Sequence, residues 1–194
     1  MARKYTQIRR AEAQAETRRR IVEAAVALHS TVGPAFTPLS LVAERAGVQR
    51  HTLYAHFPDE RSLFEACSGL VFERDPLPDA TPWQAISVPS ERLRAGLRAI
   101  YRWYARNAEI SACVLRDAES HALTKEMSDL RMGPALAAYA EVLGARLDAR
   151  QRALLRVALG FFTWRALVSE AGLSPDAAVE TMIDAILWMN MRRR

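Results

Sequence analysis

The 194 residues, half of them hydrophobic and a quarter charged, suffice for a real core and exclude global disorder. A net charge of +5 favours acidic partners, nucleic acid or an anionic membrane, without choosing between them. Two distant cysteines, Cys67 and Cys113, exclude a disulfide framework and a metal-ligand spacing, and the absence of an apolar leader or an uninterrupted apolar run argues for reduced thiols in a cytoplasm.

The charge is unevenly placed. Arg3, Lys4, Arg9, Arg10, Arg18, Arg19 and Arg20 face only Glu12 and Glu16 in residues 1–20, a local +5, and Arg192 to Arg194 add +3, which leaves the middle at −3. Residues 1–15 read as a basic N-terminal arm. A helix is expected over about 16–31, where Ile21, Ala24, Ala25 and Leu28 recur at helical spacing until Gly33-Pro34 stops it. Thr37-Pro38 reads as an N-cap and first-turn proline for a short helix, 39–46, which Gly47 ends. A second short helix is expected over about 49–56, and a fourth from Asp59 or Glu60 to about Phe72, so that 16–73 forms one domain. Three prolines between Asp75 and Pro82 mark 74–89 as a linker. The second domain, 90–194, opens with a stripe of Leu93, Leu97, Ile100, Tyr101 and Tyr104 opposite Arg94, Arg98 and Arg102. Helices are expected at 108–119, 121–147 (kinked or split at Gly133-Pro134), 149–171 and 175–191.

The stretch from Thr37 to Phe57 carries the most information. Two short helices meet at Ala46-Gly47-Val48. Ala43 is small where the helices touch, Gly47 can take a positive φ, and Leu39, Val42, Val48 and Leu53 can anchor both helices in a shared core. What remains on the second helix is polar and long: Gln49, Arg50, His51, Thr52, Tyr54 and His56. In a helix-turn-helix, such side chains enter the major groove and meet base edges.

Leu41-Val42-Ala43-Glu44-Arg45-Ala46-Gly47-Val48, followed by Thr52-Leu53-Tyr54-Ala55-His56-Phe57, resembles the signature of the TetR family of bacterial repressors; Arg20 to Ala25 and Leu63-Phe64 also fit, over roughly residues 17–66. The resemblance implies an all-α homodimer with an N-terminal three-helix helix-turn-helix DNA-binding domain and a C-terminal helical ligand-binding and dimerisation domain. It implies that Thr37 caps the second helix and touches a phosphate, that Ser40 faces the groove edge, and that Gln49, Arg50 and Thr52 sit over bases or phosphates. Tyr54 and His56 would bond the DNA backbone, and the N-terminal arginines would follow the adjacent backbone or minor groove. Two positions depart from the family: His51 stands where glycine is frequent, and Glu60 where lysine is usual, so that Arg61 would have to supply the phosphate contact there.

The body is expected to sense and to dimerise. Leu154, Leu155, Val157, Leu159, Phe161, Phe162, Trp164, Leu167 and Val168 make 149–171 apolar nearly all round, and the last helix adds Val179, Met182, Ile183, Ile186, Leu187, Trp188, Met189 and Met191. Pairing these two helices with their copies would cover both, and a dimer would read two half-sites of a near-palindrome. Candidate pocket walls are Trp83, Trp103, Tyr104, Phe161, Phe162 and Trp164, and candidate polar groups are Arg116, Glu119, His121 and Tyr139, with plain core packing as the competing account of the aromatics. Asp117 and His121 stand four apart, a spacing open to a metal or to a capping role. No cofactor, catalytic residue or metal is expected; the partners are double-stranded DNA, a second copy and a small-molecule effector, with no membrane. An enzyme with dispersed catalytic residues, a non-specific architectural DNA binder and a helical interaction module remain as alternatives.

Overall fold

The computed structural model describes residues 2–188, and every regular element among them is helical. The chain forms two compact units: one holds the residues up to Arg74 together with Cys113–Ser128, the other Asp75–Ala112 together with the residues from Asp129 onward. Met189, Met191 and Arg192 to Arg194 lie outside the described residues, as do the side chains of Arg3, Lys4 and Trp188.

In the first unit, α1 (Ala2–Thr31) is followed by a 3-10 turn (Pro34–Phe36), α2 (Leu39–Ala46), α3 (Arg50–His56) and α4 (Glu60–Arg74). Its core gathers Ile21, Val22, Ala24 and Ala25 of α1, Val42, Ala43 and Ala46 of α2, Leu53 of α3, Phe57, and Leu63 and Cys67 of α4. Full burial of each Leu, Ile or Phe here contributes about 1.5–3 kcal/mol relative to exposure. Asp59 starts α4 by accepting the Ser62 N–H at 2.7 Å, which holds its carboxyl below the usual range.

Three expectations change here. The arm is helical: α1 runs back to Ala2, because residues 2–15 contain neither glycine nor proline and are rich in Ala, Arg, Gln and Glu, all good helix formers. Thr37 is not the cap of α2. Its hydroxyl turns back to donate to the Gly33 carbonyl at 2.6 Å and is buried, and extended Pro38 takes the cap position. Residues 113–128, expected in the body, pack with the head.

The second unit contains α5 (Thr81–Gln84), α6 (Pro89–Arg106), the first turns of α7 (Ala108–Asp117), most of α8 (Ala122–Gly144), α9 (Ala149–Ala158), α10 (Phe161–Arg165), which runs on as a π-helical turn (Ala166–Glu170), and α11 (Pro175–Trp188). The expected stripe of α6 is buried, and Arg94 and Arg98 on its other side pair with Glu180 and Asp176 of α11. The segment 74–89 is less a linker than a strap tied down along its length. Trp103 Nε1 donates to the Asp75 carbonyl at 3.0 Å, Arg106 pairs with the Asp75 carboxylate, Tyr139 donates to the Pro78 carbonyl at 2.6 Å, and Trp83 is buried in α5. The expected helix 149–171 breaks at Gly160, whose extended ψ of 136° ends one helix and starts the next. The freed carbonyls are not wasted: Tyr101 donates to Ala158 O at 3.0 Å and Tyr104 to Leu159 O at 2.7 Å. Pro134 lies inside α8 without ending it.

Candidate nucleic-acid interface

The turn between α2 and α3 rests on Gly47, which has φ 64° and ψ 40° and donates its N–H to the Ala43 and Glu44 carbonyls. Nothing lies within 4 Å of a Cβ built there, so the glycine is needed for its left-handed backbone and not for space. Leu53 pins α3 to the core with 1% of its surface exposed, and half-buried Val48 packs beside it.

With that side fixed, the polar residues of α3 point outward. Gln49, Arg50, His51 and Tyr54 are exposed, Thr52 and His56 are half-buried, and Ser40 is exposed on α2. Among the described residues, no hydrogen bond or ion pair engages the side chains of Gln49, Arg50, His51 or Tyr54. A short helix therefore presents a guanidinium fork, a carboxamide, an imidazole and a phenol with nothing in the chain to satisfy them. This is the inventory that pairs with base edges and phosphate oxygens. Thr37 does not join the set: its buried hydroxyl is already engaged at Gly33.

Contacts that the local pattern did not reveal hold this face in place. Arg18 Nη1 donates to the carbonyl of His56 at 2.9 Å while its guanidinium lies 4.1 Å over the Phe57 ring, and Arg20 reaches the Ala46 carbonyl at 3.4 Å. Two of the N-terminal arginines thus clasp the helix-turn-helix at the C-terminal ends of α2 and α3. Arg61, expected to reach a phosphate, forms a two-pronged ion pair with Glu126. Partners 65 or 38 positions away leave no trace in spacing, so these roles were not readable from sequence.

The ten candidate pocket residues divide between the two units. In the first, Arg116 pairs with Asp117 and donates to Val32 O, Glu119 is exposed, and His121 Nδ1 meets the Thr124 hydroxyl at 2.7 Å. Asp117, the other half of the spacing open to a metal, is committed to Arg116 and to the Ala35 N–H. In the second unit, Tyr104 packs against Trp103, Phe161 and Trp164, with ring centroids 5.4–6.1 Å apart, and Phe162 is 40% exposed. Trp103, Tyr104, Phe161 and Trp164 are core, as the competing account held, and Phe162 is not. Trp83 lies 5.3 Å from Tyr139, and Tyr139 borders a cleft of about 260 Å³ also lined by Asp79, Thr81, Gln84 and Val142. Burial and the nearby Asp79 push the Tyr139 hydroxyl up to about 12. The buried Trp164 Nε1–H finds no acceptor among the described residues.

A short helix with an outward polar face, locked through a glycine turn to a buried helical core, defines a helix-turn-helix head, and every regular element among the described residues is helical. Residues 21–67, about a quarter of the chain, match the model of the bacterial regulatory proteins of the tetR family. It is 33% identical over 105 residues to the HTH-type transcriptional repressor KstR of Mycolicibacterium smegmatis, a match covering 54% of this chain and 52% of that protein. The chain thus spans about half the length of the curated relatives it matches. A TetR-like transcriptional regulator from Rhodococcus sp. RHA1 shares the fold with a TM-score of 0.61 at 20% identity, covering 92% of this chain and 97% of that one. The structure of AibR in complex with isovaleryl coenzyme A and operator DNA shares it with a TM-score of 0.58 at 21% identity, covering 87% and 97%. No helix among the described residues is long and apolar enough to cross a membrane.

Proposed function

We propose that this chain is a sequence-specific DNA-binding transcription regulator rather than an enzyme, working as a homodimer whose body binds a small molecule and thereby releases a near-palindromic operator. The exposed, unpartnered polar row of α3, held to the core by Leu53, carries this reading. Repression accords with the repressor KstR, and an effector accords with AibR, which was solved with an acyl-coenzyme A and operator DNA. Dimerisation is supported by Val157 (53% exposed) and Phe162 (40% exposed) on the α9–α10 segment, large apolar groups that a second copy would cover. An effector with a hydrogen-bond acceptor would also satisfy the orphan Trp164 N–H, which costs about 1–3 kcal/mol while unpaired. No cofactor is required by this scheme. The effector acts only to the extent that it prefers the non-binding arrangement of the dimer.

The test is selection of bound duplexes from a random pool with the purified chain at near-physiological salt. A two-fold symmetric motif supports a dimeric reader, and Arg50→Ala or Thr52→Ala should then relax it by about 1–3 kcal/mol at the contacted base. Recovery of arbitrary duplex with a steep salt slope would favour the architectural alternative. Failure to retain any DNA would overturn the proposal.

A further inference from the structure

Ala135, Ala138, Tyr139 and Val142 follow the i, i+3, i+4, i+7 spacing of one helical face, and α8 turns this face toward the strap segment that carries Pro78 to Gln84. The strap does not close onto the two small alanines. Tyr139 ties it at the Pro78 carbonyl at 2.6 Å, and Trp83, buried 5.3 Å from the Tyr139 ring, ties it again five residues on. Pro76, Pro78 and Pro82 restrict the backbone around these ties. The space left over is the cleft of about 260 Å³, and all its walls belong to the second compact unit.

The polar lining of this cleft is one-sided. Its hydroxyl donors are already engaged within the chain: Thr81 donates its hydroxyl and its N–H to Asp79 Oδ1, at 2.8 and 2.9 Å, and Tyr139 donates to Pro78 O. Among the described residues, Asp79 Oδ2, the Glu141 carboxylate and the Gln84 amide have no hydrogen-bond or ion-pair partner. The two Thr81 donors hold the Asp79 carboxyl below its usual range, so it is ionised near neutral pH. No Lys, Arg or His lines the cleft. Arg92, which is buried and reaches the Val142 carbonyl at 3.4 Å, has its Nε on the Ile86 carbonyl at 2.8 Å and is not part of the wall. A ligand seated here meets free carboxylate oxygens over a floor of methyl groups, so it has to bring the donors itself.

We propose that the cleft between the strap and α8 binds a small organic cation, an amine or guanidine with a short apolar part, whose N–H groups meet Asp79 and Glu141 while its carbon atoms lie on Ala135 and Ala138. That this cation is the effector rests on the reading of the chain as an effector-controlled DNA-binding regulator. The volume is below the roughly 300–1,000 Å³ of drug-sized sites, so the occupant is small. An acyl-coenzyme A of the kind bound by AibR is too large for it, and its phosphates would be repelled by the two carboxylates. The short helix α5 and the strap around it are the parts of the second unit that the bound cation would hold against α8.

The experiment is isothermal titration calorimetry on the full chain with benzylammonium and agmatine as cations, and with benzyl alcohol and benzoate as the neutral and anionic counterparts of benzylammonium. Wild type is compared with Asp79→Asn/Glu141→Gln, with Ala138→Leu, which fills the space and keeps both carboxylates, and with Glu109→Gln as a carboxylate outside the cleft; thermal melting checks that each is folded. At least one cation should bind saturably, one per chain, ten-fold or more tighter than benzyl alcohol, with no binding of benzoate. The double variant and Ala138→Leu should each weaken it ten-fold or more, and Glu109→Gln should not. Binding of neither cation, equal binding of benzyl alcohol, or wild-type affinity in both cleft variants would overturn the site. Adding the bound cation to the chain on the duplex motif recovered above should lower operator affinity in wild type and not in Ala138→Leu. A cation that binds in the cleft and leaves operator affinity unchanged would overturn its role as effector while the α3 reading stands. Absence of any motif with wild type would instead fail the α3 reading, and the calorimetry would still decide the cleft.

Discussion

The carboxylate of Asp117 accepts the backbone N–H of Ala35 at 2.9 Å, joining positions 82 residues apart within one compact unit. Asp117 is 2% exposed, pairs with Arg116 at 2.8 Å, and Arg116 in turn donates to the Val32 carbonyl at 3.0 Å. Between these contacts lies Gly33, at φ 102°, where a Cβ would come within 2.4 Å of both side chains. The last turn of α7 therefore clasps the end of α1. Asp117→Ala leaves the Ala35 N–H without its acceptor and should cost about 1–3 kcal/mol, read as a drop of several degrees in thermal midpoint. Asp117→Asn keeps an acceptor and should lose less. A wild-type melting curve for the alanine variant would mean that the clasp contributes nothing.

His29 predicts a pH dependence. It is 4% exposed on α1, with Nδ1 3.5 Å from Cys67 Sγ and its ring 5.0 Å from Phe64. Burial pulls its pKa from 6.5 down to about 4; Asp117 works against this and His121 with it. The unfolded chain takes up the proton first, so between about pH 6.5 and 4 stability falls as pH falls, by about 2–3 kcal/mol in all. Urea unfolding at a series of pH values should show this loss, and His29→Gln should flatten it. An undiminished slope in the variant would assign the acid sensitivity to other groups.

What was legible in the sequence was what local chemistry decides. Gly47 had to be left-handed where two short helices meet, and Leu53, Val42 and Ala43 had to face inward because of their spacing, so the outward polar row of α3 followed as the remainder. What depends on a distant partner was not legible. Thr37 has the side chain of a cap, yet its hydroxyl donates to Gly33 O and Pro38 holds the cap position of α2. The aromatics of α6 and α10 have the character of a pocket wall, yet each faces another ring. Gly160 breaks an otherwise uniform helical pattern because Tyr101 and Tyr104, more than fifty positions away, are placed to take the freed carbonyls.

Gly47 gives a test of the turn itself. With no atom within 4 Å of a new Cβ, Gly47→Ala meets no clash and bears only the strain of a left-handed backbone, about 1–2 kcal/mol. Gly47→Asn should cost less, since asparagine visits that conformation more readily. The denaturant midpoint should fall for alanine and fall less for asparagine, with motif selection intact for both while they remain folded. An alanine variant as stable as wild type would show that the turn does not depend on a left-handed residue.

Arg61 offers the sharpest link between folding contacts and DNA. It follows Glu60 at the start of α4 and is the cation nearest to where the family resemblance expects a phosphate contact, yet both its terminal nitrogens are held by Glu126. That pairing keeps the Glu126 carboxyl below its ordinary range. Both side chains are about half exposed, so solvent screens the pair and it adds little to stability. Glu126→Gln should therefore melt close to wild type while freeing Arg61, raising operator affinity several-fold at low salt and steepening the salt slope by about one per head. Adding Arg61→Gln to Glu126→Gln should remove the gain, which separates release of this guanidinium from a general loss of negative charge. Unchanged affinity in Glu126→Gln would place Arg61 out of reach of DNA and leave the start of α4 without a phosphate contact.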